Sequence, residues 1–349
     1  MLKSSEKFKE NVTLEKNIEN IERGYKITQD LLIAEEANNI ILYNLKLKKK
    51  ILNIPFGNGR ITNIHICKKP LYIDNKSITF SNDSFYFLTS SLDKKFALHH
   101  ISYNNLTPKN SKYKLIAQCQ PTKDELNGVI QIENGQILIA TRDQHIILFS
   151  NKIKNGNFEK LFEVKKYWPL EAASIFEIRK NIIGVFWERD DAEADDYFTQ
   201  ERFYKNHSND GLYIYTVNNN KIFEKKALKL IAKSFTGLIR AEKQKYSHIV
   251  MNDKLILKKN NEIDVYNSNN YTPLFKFKFD FGLFNIYPFN EKYFCIFYKE
   301  GNNAKIKLYN VNSFKNEQNF EFLGKKYNSD LFPISNNEYL LDDVIITIS

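Results

Sequence analysis

The chain has 349 residues, 42% hydrophobic and 14% aromatic, which is ample for a buried core, and a net charge of +10. No run approaches the roughly 18 consecutive apolar residues of a membrane-spanning helix, and the opening stretch MLKSSEKFKENVTLEKN lacks the apolar segment of a secretory signal, so an intracellular chain is expected. The positive charge is nearly all lysine, in the Lys-, Asn- and Ile-rich pattern an AT-rich genome imposes, and the seven arginines are scattered, a poor set for the bidentate forks that read bases and phosphates.

In chain order, residues 1–22 form a charged N-terminal segment, the one place where a helix is expected. From residue 23 to 349 short runs of Ile, Phe, Tyr and Val alternate with Asn, Asp, Gly and Lys, the pattern of strands and turns. One five-residue phrase recurs: IILYN (Ile40 to Asn44), FALHH (Phe96 to His100), IILFS (Ile146 to Ser150), LYIYT (Leu212 to Thr216), IDVYN (Ile263 to Asn267) and IKLYN (Ile306 to Asn310). Its fourth residue is Tyr43, His99, Phe149, Tyr215, Tyr266 or Tyr309, at separations of 56, 50, 66, 51 and 43 residues, the length of one four-stranded repeat. The phrase is apolar on both faces, as a strand sandwiched between neighbouring sheets must be.

Six residues before each aromatic stands Ala37, Asp93, Asp143, Asn209, Asn260 or Asn303. Asp and Asn suit the turn into the phrase because their side chains bond nearby backbone and tolerate left-handed conformations. A seventh copy, SDLFPISNNEYLLDDVIITIS, has strands near Leu331 to Ile334, at Tyr339 to Leu341 and up to Ser349, and no residues for a fourth. A strand within Asn11 to Ile18 is expected to supply it, closing the first repeat on the last and hiding the exposed edge. The predicted fold is all-β, a seven-bladed β-propeller over residues 23–349 with its ring closed by an N-terminal strand. Cys67, Cys119 and Cys295 are far apart and read as buried reduced thiols, and the six Asn-x-Ser/Thr sequons follow from Asn abundance.

The wide separation of 66 residues comes from ERDDAEADDYFTQERFYKNHSND, Glu188 to Asp210, inserted between the second and third strands of the fourth repeat. It is acidic at one end, through Asp190, Asp191, Glu193, Asp195 and Asp196, and aromatic farther on, through Tyr197, Phe198, Phe203 and Tyr204. Aromatics anchor protein contacts and a long loop on a rigid frame is where contacts are made, so these nine residues are the candidate partner-binding set. A calcium loop needs Gly at its sixth position and a bidentate Glu at its twelfth; counting from Asp191 these are Asp196 and Arg202. No G-x-S-x-G, GxxxxGK[ST] or HExxH motif occurs. No cofactor and no catalytic residue is expected. His99 reads as a structural stand-in for the aromatic, His100 as its opposite-facing neighbour, and His145 as the opening of a strand.

The phrases and their turns resemble the WD-repeat β-propeller family, GQILIATRDQHIILFS (Gly135 to Ser150) most closely and TSSLDKKFALHH (Thr89 to His100) next. Tyr or Phe replaces that family's Trp, which keeps most of the buried aromatic area. The resemblance implies a rigid disc that presents loops to other proteins: a non-catalytic scaffold in an intracellular assembly. Two other classes stay open. A glycan-processing or glycan-binding propeller enzyme is echoed only by SNDGLYIY (Ser208 to Tyr215), and binding to anionic lipid or RNA would use KSFTGLIRAEKQKYSH (Lys233 to His248).

Overall fold

The structure is a computed structural model that describes residues 12–16, 23–28, 30–36, 39–56, 59–78, 80–81, 83–104, 110–166, 170–189, 211–229, 246–259, 262–279, 284–300, 303–322, 331–333, 338–341 and 344–348. Among them every regular element is a strand apart from a single 3-10 position, with no α-helix. Of the N-terminal segment where a helix is expected, residues 12–16 form a strand and the rest falls outside the described residues.

The strands are β1 (Val12–Lys16), β2 (Arg23–Lys26), β3 (Leu31–Glu36), β4 (Asn39–Asn44) and β5 (Lys49–Pro55). Next come β6 (Ile61–Cys67), β7 (Leu71–Ile73), β8 (Lys76–Ile78), β9 (Ser84–Ser91), β10 (Phe96–Ser102) and β11 (Lys112–Cys119). They are followed by β12 (Leu126–Gln131), β13 (Ile137–Thr141), β14 (His145–Lys154), β15 (Asn157–Lys165), β16 (Leu170–Arg179), β17 (Ile182–Arg189), β18 (Gly211–Asn218) and β19 (Lys221–Lys229). The remainder are β20 (Tyr246–Met251), β21 (Lys254–Lys259), β22 (Glu262–Asn267), β23 (Pro273–Lys278), β24 (Phe284–Pro288), β25 (Tyr293–Glu300), β26 (Asn303–Asn310), β27 (Asn316–Phe322), β28 (Leu331–Pro333), β29 (Glu338–Leu341) and β30 (Val344–Ile348).

The chain divides into two compact units. One comprises Asn38–Leu42 and Lys50–Gly237 and holds three sheets, ordered β6-β9-β10-β11, β12-β13-β14-β15 and β16-β17-β18-β19. Their core lies between consecutive sheets. Leu88, Phe96 and Leu98 meet Val129, Ile139 and Phe149, and Leu138, Ala140 and Leu148 meet Ile183, Trp187 and Tyr215. Burying a side chain of that size contributes about 1.5–3 kcal/mol.

The other unit comprises Met1–Ala37, Tyr43–Lys49 and Leu238–Ser349. It holds the sheets β20-β21-β22-β23, β24-β25-β26-β27 and β28-β29-β30-β1, together with the β2–β3 pair. Ile256, Ile263 and Val265 pack on Phe294, Ile296 and Phe314 between the first two sheets. Fully buried Tyr339 of β29 donates its hydroxyl to Pro288 O at 2.7 Å and so ties the third sheet to the end of β24. In this sheet β1 pairs antiparallel with β30 from Val12↔Ile348 to Lys16↔Val344. The fourth strand missing from the last repeat is thus supplied by the N-terminal segment, within the span read from the sequence.

Each recurring phrase lies on the third strand of its group: β4, β10, β14, β18, β22 and β26. Burial is nearly continuous in β4, β10, β14 and β18, as a phrase apolar on both faces requires, but alternates in β22, where Ile263 and Val265 are buried, and in β26, where Ile306 and Leu308 are, whereas the first four residues of the fourth strands β11 and β23 are exposed. The phrase-ending Asn has its own task. Asn267 Oδ1 accepts from the backbone N of Asn269 and Asn270 at 2.8 and 3.2 Å, and Asn310 Oδ1 from those of Asn312 and Ser313 at 2.9 and 3.1 Å. Asn44 Oδ1 accepts from Leu47 N at 2.8 Å. Each is an Asx turn carrying the chain from third strand to fourth.

One element is additional to the four-strand pattern. The β7–β8 hairpin, between the first and second strands of its own sheet, lies parallel along the tail of β14 through Lys152↔Tyr72 and Ile153↔Ile73. Gln131 locks it, accepting from Lys69 N at 3.0 Å and donating to Lys69 O at 3.1 Å. Gly135, at φ +85°, lets Pro70 O come so near that an added Cβ would stand 2.0 Å from it, so no other residue fits there.

Removal of residues 1–22 leaves β30, whose sequence VIITI carries no charge, as a bare apolar edge. The expected result in differential scanning fluorimetry and light scattering is a lower melting temperature with aggregation. An unchanged melting temperature in a monodisperse sample would show that the β1–β30 pair does not hold this sheet.

Candidate functional site

The connections between second and third strands in the three sheets of the Lys50–Gly237 unit show what is ordinary at this position and what is not. Between β9 and β10 the link is a tight turn in which Ser91 Oγ donates to Asp93 and lies 3.0 Å from Lys95 O. Leu92 N reaches Arg60 O at 2.9 Å, and Gly59 sits so close that a Cβ on it would stand 2.5 Å from Asp93 N. The β13–β14 link repeats the design. Thr141 Oγ1 donates to Asp143 Oδ1 at 2.6 Å and accepts from His145 N at 3.0 Å, while Arg142 N reaches Glu125 O at 2.9 Å.

The aspartates predicted at these turns are therefore in place, but with a different partner: the hydroxyl of a Ser or Thr two residues earlier. Asp143 lowers the cost of the bend while Gln144 takes φ 77°, and Lys94 takes φ 70° in the other copy. Asn303 departs from the expectation. It is the first residue of β26, paired with Glu300, and so belongs to the strand. Ala37, Asn209 and Asn260 fall outside the described residues.

The third sheet breaks the pattern. The β17–β18 pair closes at Trp187↔Gly211, and Gly211 also pairs with Lys229 on β19. Residues 190–210 and the segment after Lys229 therefore leave from the same end of one sheet. Underneath, Trp187 Nε1 donates to Tyr215 OH at 2.9 Å with both rings fully buried. Burial pushes the Tyr215 hydroxyl far above the usual phenol range, so it stays a neutral partner for the indole. The Lys166 ammonium stands 4.4 Å from the centre of the Tyr213 ring, with Glu224 as its ion-pair partner. Asp190, Asp191, Glu193, Asp195, Asp196, Tyr197, Phe198, Phe203 and Tyr204, the predicted partner-binding set, lie outside the described residues. So does most of the Lys233 to His248 stretch, of which Tyr246 to His248 open β20.

His99, His100 and His145 make contacts within their own sheets. His99 takes the aromatic position, stacked 4.7 Å from Phe87, with Nε2 2.8 Å from Thr89 Oγ1 and Nδ1 3.0 Å from Tyr113 OH. His100 faces the other way, 2.8 Å from Ser84 Oγ and stacked 4.4 Å from Tyr86. His145 opens β14 and meets Glu163. Burial pushes that carboxyl up, yet hydrogen bonds from Lys160 and His145 outweigh it and hold Glu163 below the usual range. Burial pushes His99 and His248 down to about 3, and burial with the nearby Lys68 charge pushes His65 down to about 4.

Cys67 and Cys295 are buried free thiols, as expected, while Cys119 at the end of β11 is half-exposed because a fourth strand has only one covered face. Among the described residues no three His, Cys, Asp or Glu side chains converge as a metal site requires, and no helix is long and apolar enough to cross a membrane. The Ser91 and Thr141 hydroxyls went unread in the sequence, although both stand eight residues before the aromatic position.

No protein-family model and no curated protein matches the chain. Among solved structures 948 chains are similar. One is Raptor from Chaetomium thermophilum, which aligns with 96% of this chain at a TM-score of 0.65 and 10% sequence identity. This chain spans 28% of that one. At such identity the likeness is one of fold.

Two predictions follow from the turns and the buried rings. The three histidines fold with depressed pKa values, so their contribution to stability is complete above the unfolded value near 6.5 and is lost as pH falls below it toward 3–4. Urea unfolding should show stability dropping between about pH 6.5 and pH 4.5, and the paired change His99→Phe with Thr89→Val should flatten the slope by about 1.4 kcal/mol per pH unit. An unaltered slope would show that His99 titrates as it does in the unfolded chain. At Gln144 the left-handed backbone costs an L-residue about 1 kcal/mol, so unfolding midpoints should rank Gln144→Gly above wild type and Gln144→Val below it.

Proposed function

We propose that this chain is a non-catalytic protein-interaction scaffold, a seven-bladed propeller with its ring closed by β1, that works as a subunit of an intracellular assembly. The observation that carries this reading is the contrast among three equivalent connections. Two are short turns closed by a hydroxyl–carboxylate bond, and the third gives way to residues 190–210, rooted in a sheet whose base is fixed by the buried Trp187–Tyr215 pair. An insertion that dispenses with the economical turn and brings seven carboxylates, five of them between Asp190 and Asp196, and four aromatic rings suits contact with other proteins: the aromatics to anchor, the carboxylates to speed encounter. The repeated four-stranded sheets and the fold likeness support the propeller reading, and the absence of an arginine cluster leaves the glycan and nucleic-acid alternatives with less to stand on.

Replacing residues 190–210 by an Asn-Gly turn, which the two sister connections show the sheet can carry, tests the reading. Circular dichroism should be unchanged while affinity capture with mass spectrometry loses partners that wild type retains. Tyr197→Ala, Phe198→Ala, Phe203→Ala and Tyr204→Ala combined should weaken binding by a few kcal/mol, and Asp195→Asn with Asp196→Asn should mainly slow association. A folded loop-replaced protein that recovers the full wild-type set of partners refutes this assignment.

A further inference from the structure

The outer strands β11, β15 and β19 are successive neighbours within one unit, β11 beside β15 and β15 beside β19. Their sequences, KYKLIAQC, NFEKLFEVK and KIFEKKALK, hold two, two and four lysines, three glutamates in total, and neither Asp nor Arg. Two of the glutamates are already engaged, Glu163 by His145 and Lys160 and Glu224 by Lys166. Set in this basic field are three of the six large apolar side chains that stand exposed among the described residues: Tyr113 at 36%, Leu115 at 42% and Phe223 at 52%.

We propose that these three outer strands form a second docking surface, which takes an acidic, extended polypeptide segment bearing large apolar side chains. Three features select that occupant. Lysine without arginine offers point charges and no planar fork, which suits dispersed carboxylates better than the phosphates of a nucleic acid. Exposed apolar side chains among the charges ask for apolar groups in the partner, which a phosphodiester backbone does not present. Among the described residues β19 ends its sheet with no strand on its outer edge, and the backbone N–H and C=O groups of that edge can pair only with a polypeptide, by strand addition. Self-association is opposed, because a second copy of the same edge would bring lysine against lysine. The proposal rests on the reading of the chain as a protein-binding scaffold, at a site separate from residues 190–210.

The test is fluorescence anisotropy with three probes: a synthetic peptide of alternating Glu and Leu or Phe, an oligouridylate RNA, and vesicles containing phosphatidylserine. The acidic peptide should bind best, and a Lys-for-Glu version should not bind. Leu115→Ala with Phe223→Ala should weaken peptide binding at least tenfold. Lys225→Glu with Lys226→Glu should do the same and reduce its salt dependence. Both sites are exposed, so the fold is expected to survive, with circular dichroism as the check. The protein with residues 190–210 replaced should bind the peptide like wild type, which separates failure of this surface from failure of the loop. Tighter binding of RNA or vesicles than of the peptide overturns the proposal. Absence of peptide binding, or peptide binding indifferent to both pairs of substitutions, overturns it equally.

Discussion

A strand buried on both faces leaves none of its side chains for water, so a sheet that contains one must finish on a strand that meets solvent. Here the third strands β4, β10, β14 and β18 carry that double burial, with Ile40 to Tyr43 and Ile146 to Phe149 almost wholly inaccessible. The fourth strands carry its consequence. They are amphipathic at best, and among the described residues their outer edge has no strand partner and they bear most of the exposed apolar side chains and a dense share of lysine. Charge on an edge is how a sheet avoids pairing with another copy of itself. Much of the +10 net charge is thereby explained without a polyanionic ligand.

The short connections supply what the strands cannot. A sheet end has backbone groups without partners, and Asn, Asp, Ser and Thr satisfy them locally: Ser91 with Asp93 and Thr141 with Asp143 at one end, Asn44, Asn267 and Asn310 at the other. Each of these bonds is made within four residues, and longer-range ones, such as Glu133 N to Glu177 Oε1 and Gln136 Nε2 to Asn220 Oδ1, add to them. Lys48, Tyr271 and Phe314 each take a positive φ four residues after such an Asn, and in the last two a ring that packs inward offsets the strain. A frame stiffened in this way tolerates a long insertion at one connection, since the strands on either side do not depend on it.

The third strands were legible in the sequence because double burial leaves an apolar run in β4, β14 and β18, and because an aromatic, with His99 standing in once, recurs at the fourth place of the phrase at repeat length. The β1–β30 pairing was legible from a count of strands, which left the last repeat one short. The β7–β8 hairpin was not, since Leu71–Ile73 and Lys76–Ile78 are three residues each, of mixed polarity, and owe their place to Gln131 and to the tail of β14 some eighty positions away. The hydroxyl partners of Asp93 and Asp143 hid among neighbouring serines and threonines, where only geometry tells Ser91 from Ser90. The candidate loop was legible as an interruption of the spacing, while its own arrangement is set by contacts that no periodicity records.

The sign of the edge charge is a separate question from its presence. Edge protection works with either sign, and the outer strand β27, NEQNFEF, shows this, with two glutamates and no lysine. If repulsion between like edges were the whole requirement, sign could vary freely from sheet to sheet. In β11, β15 and β19 it is never negative: positive on the first, balanced on the second and most positive on β19, where Phe223 is also the most exposed of the large apolar side chains among the described residues. Lysine-rich composition accounts for a bias toward positive edges across the chain but not for apolar side chains left in water beside them. A surface meant only to stay unpaired gains nothing from an exposed Phe223 or Leu115, since both invite the association that the lysines oppose. Charge and apolar exposure together are consistent when one partner supplies both carboxylates and apolar groups, so that a single contact neutralises the first and covers the second.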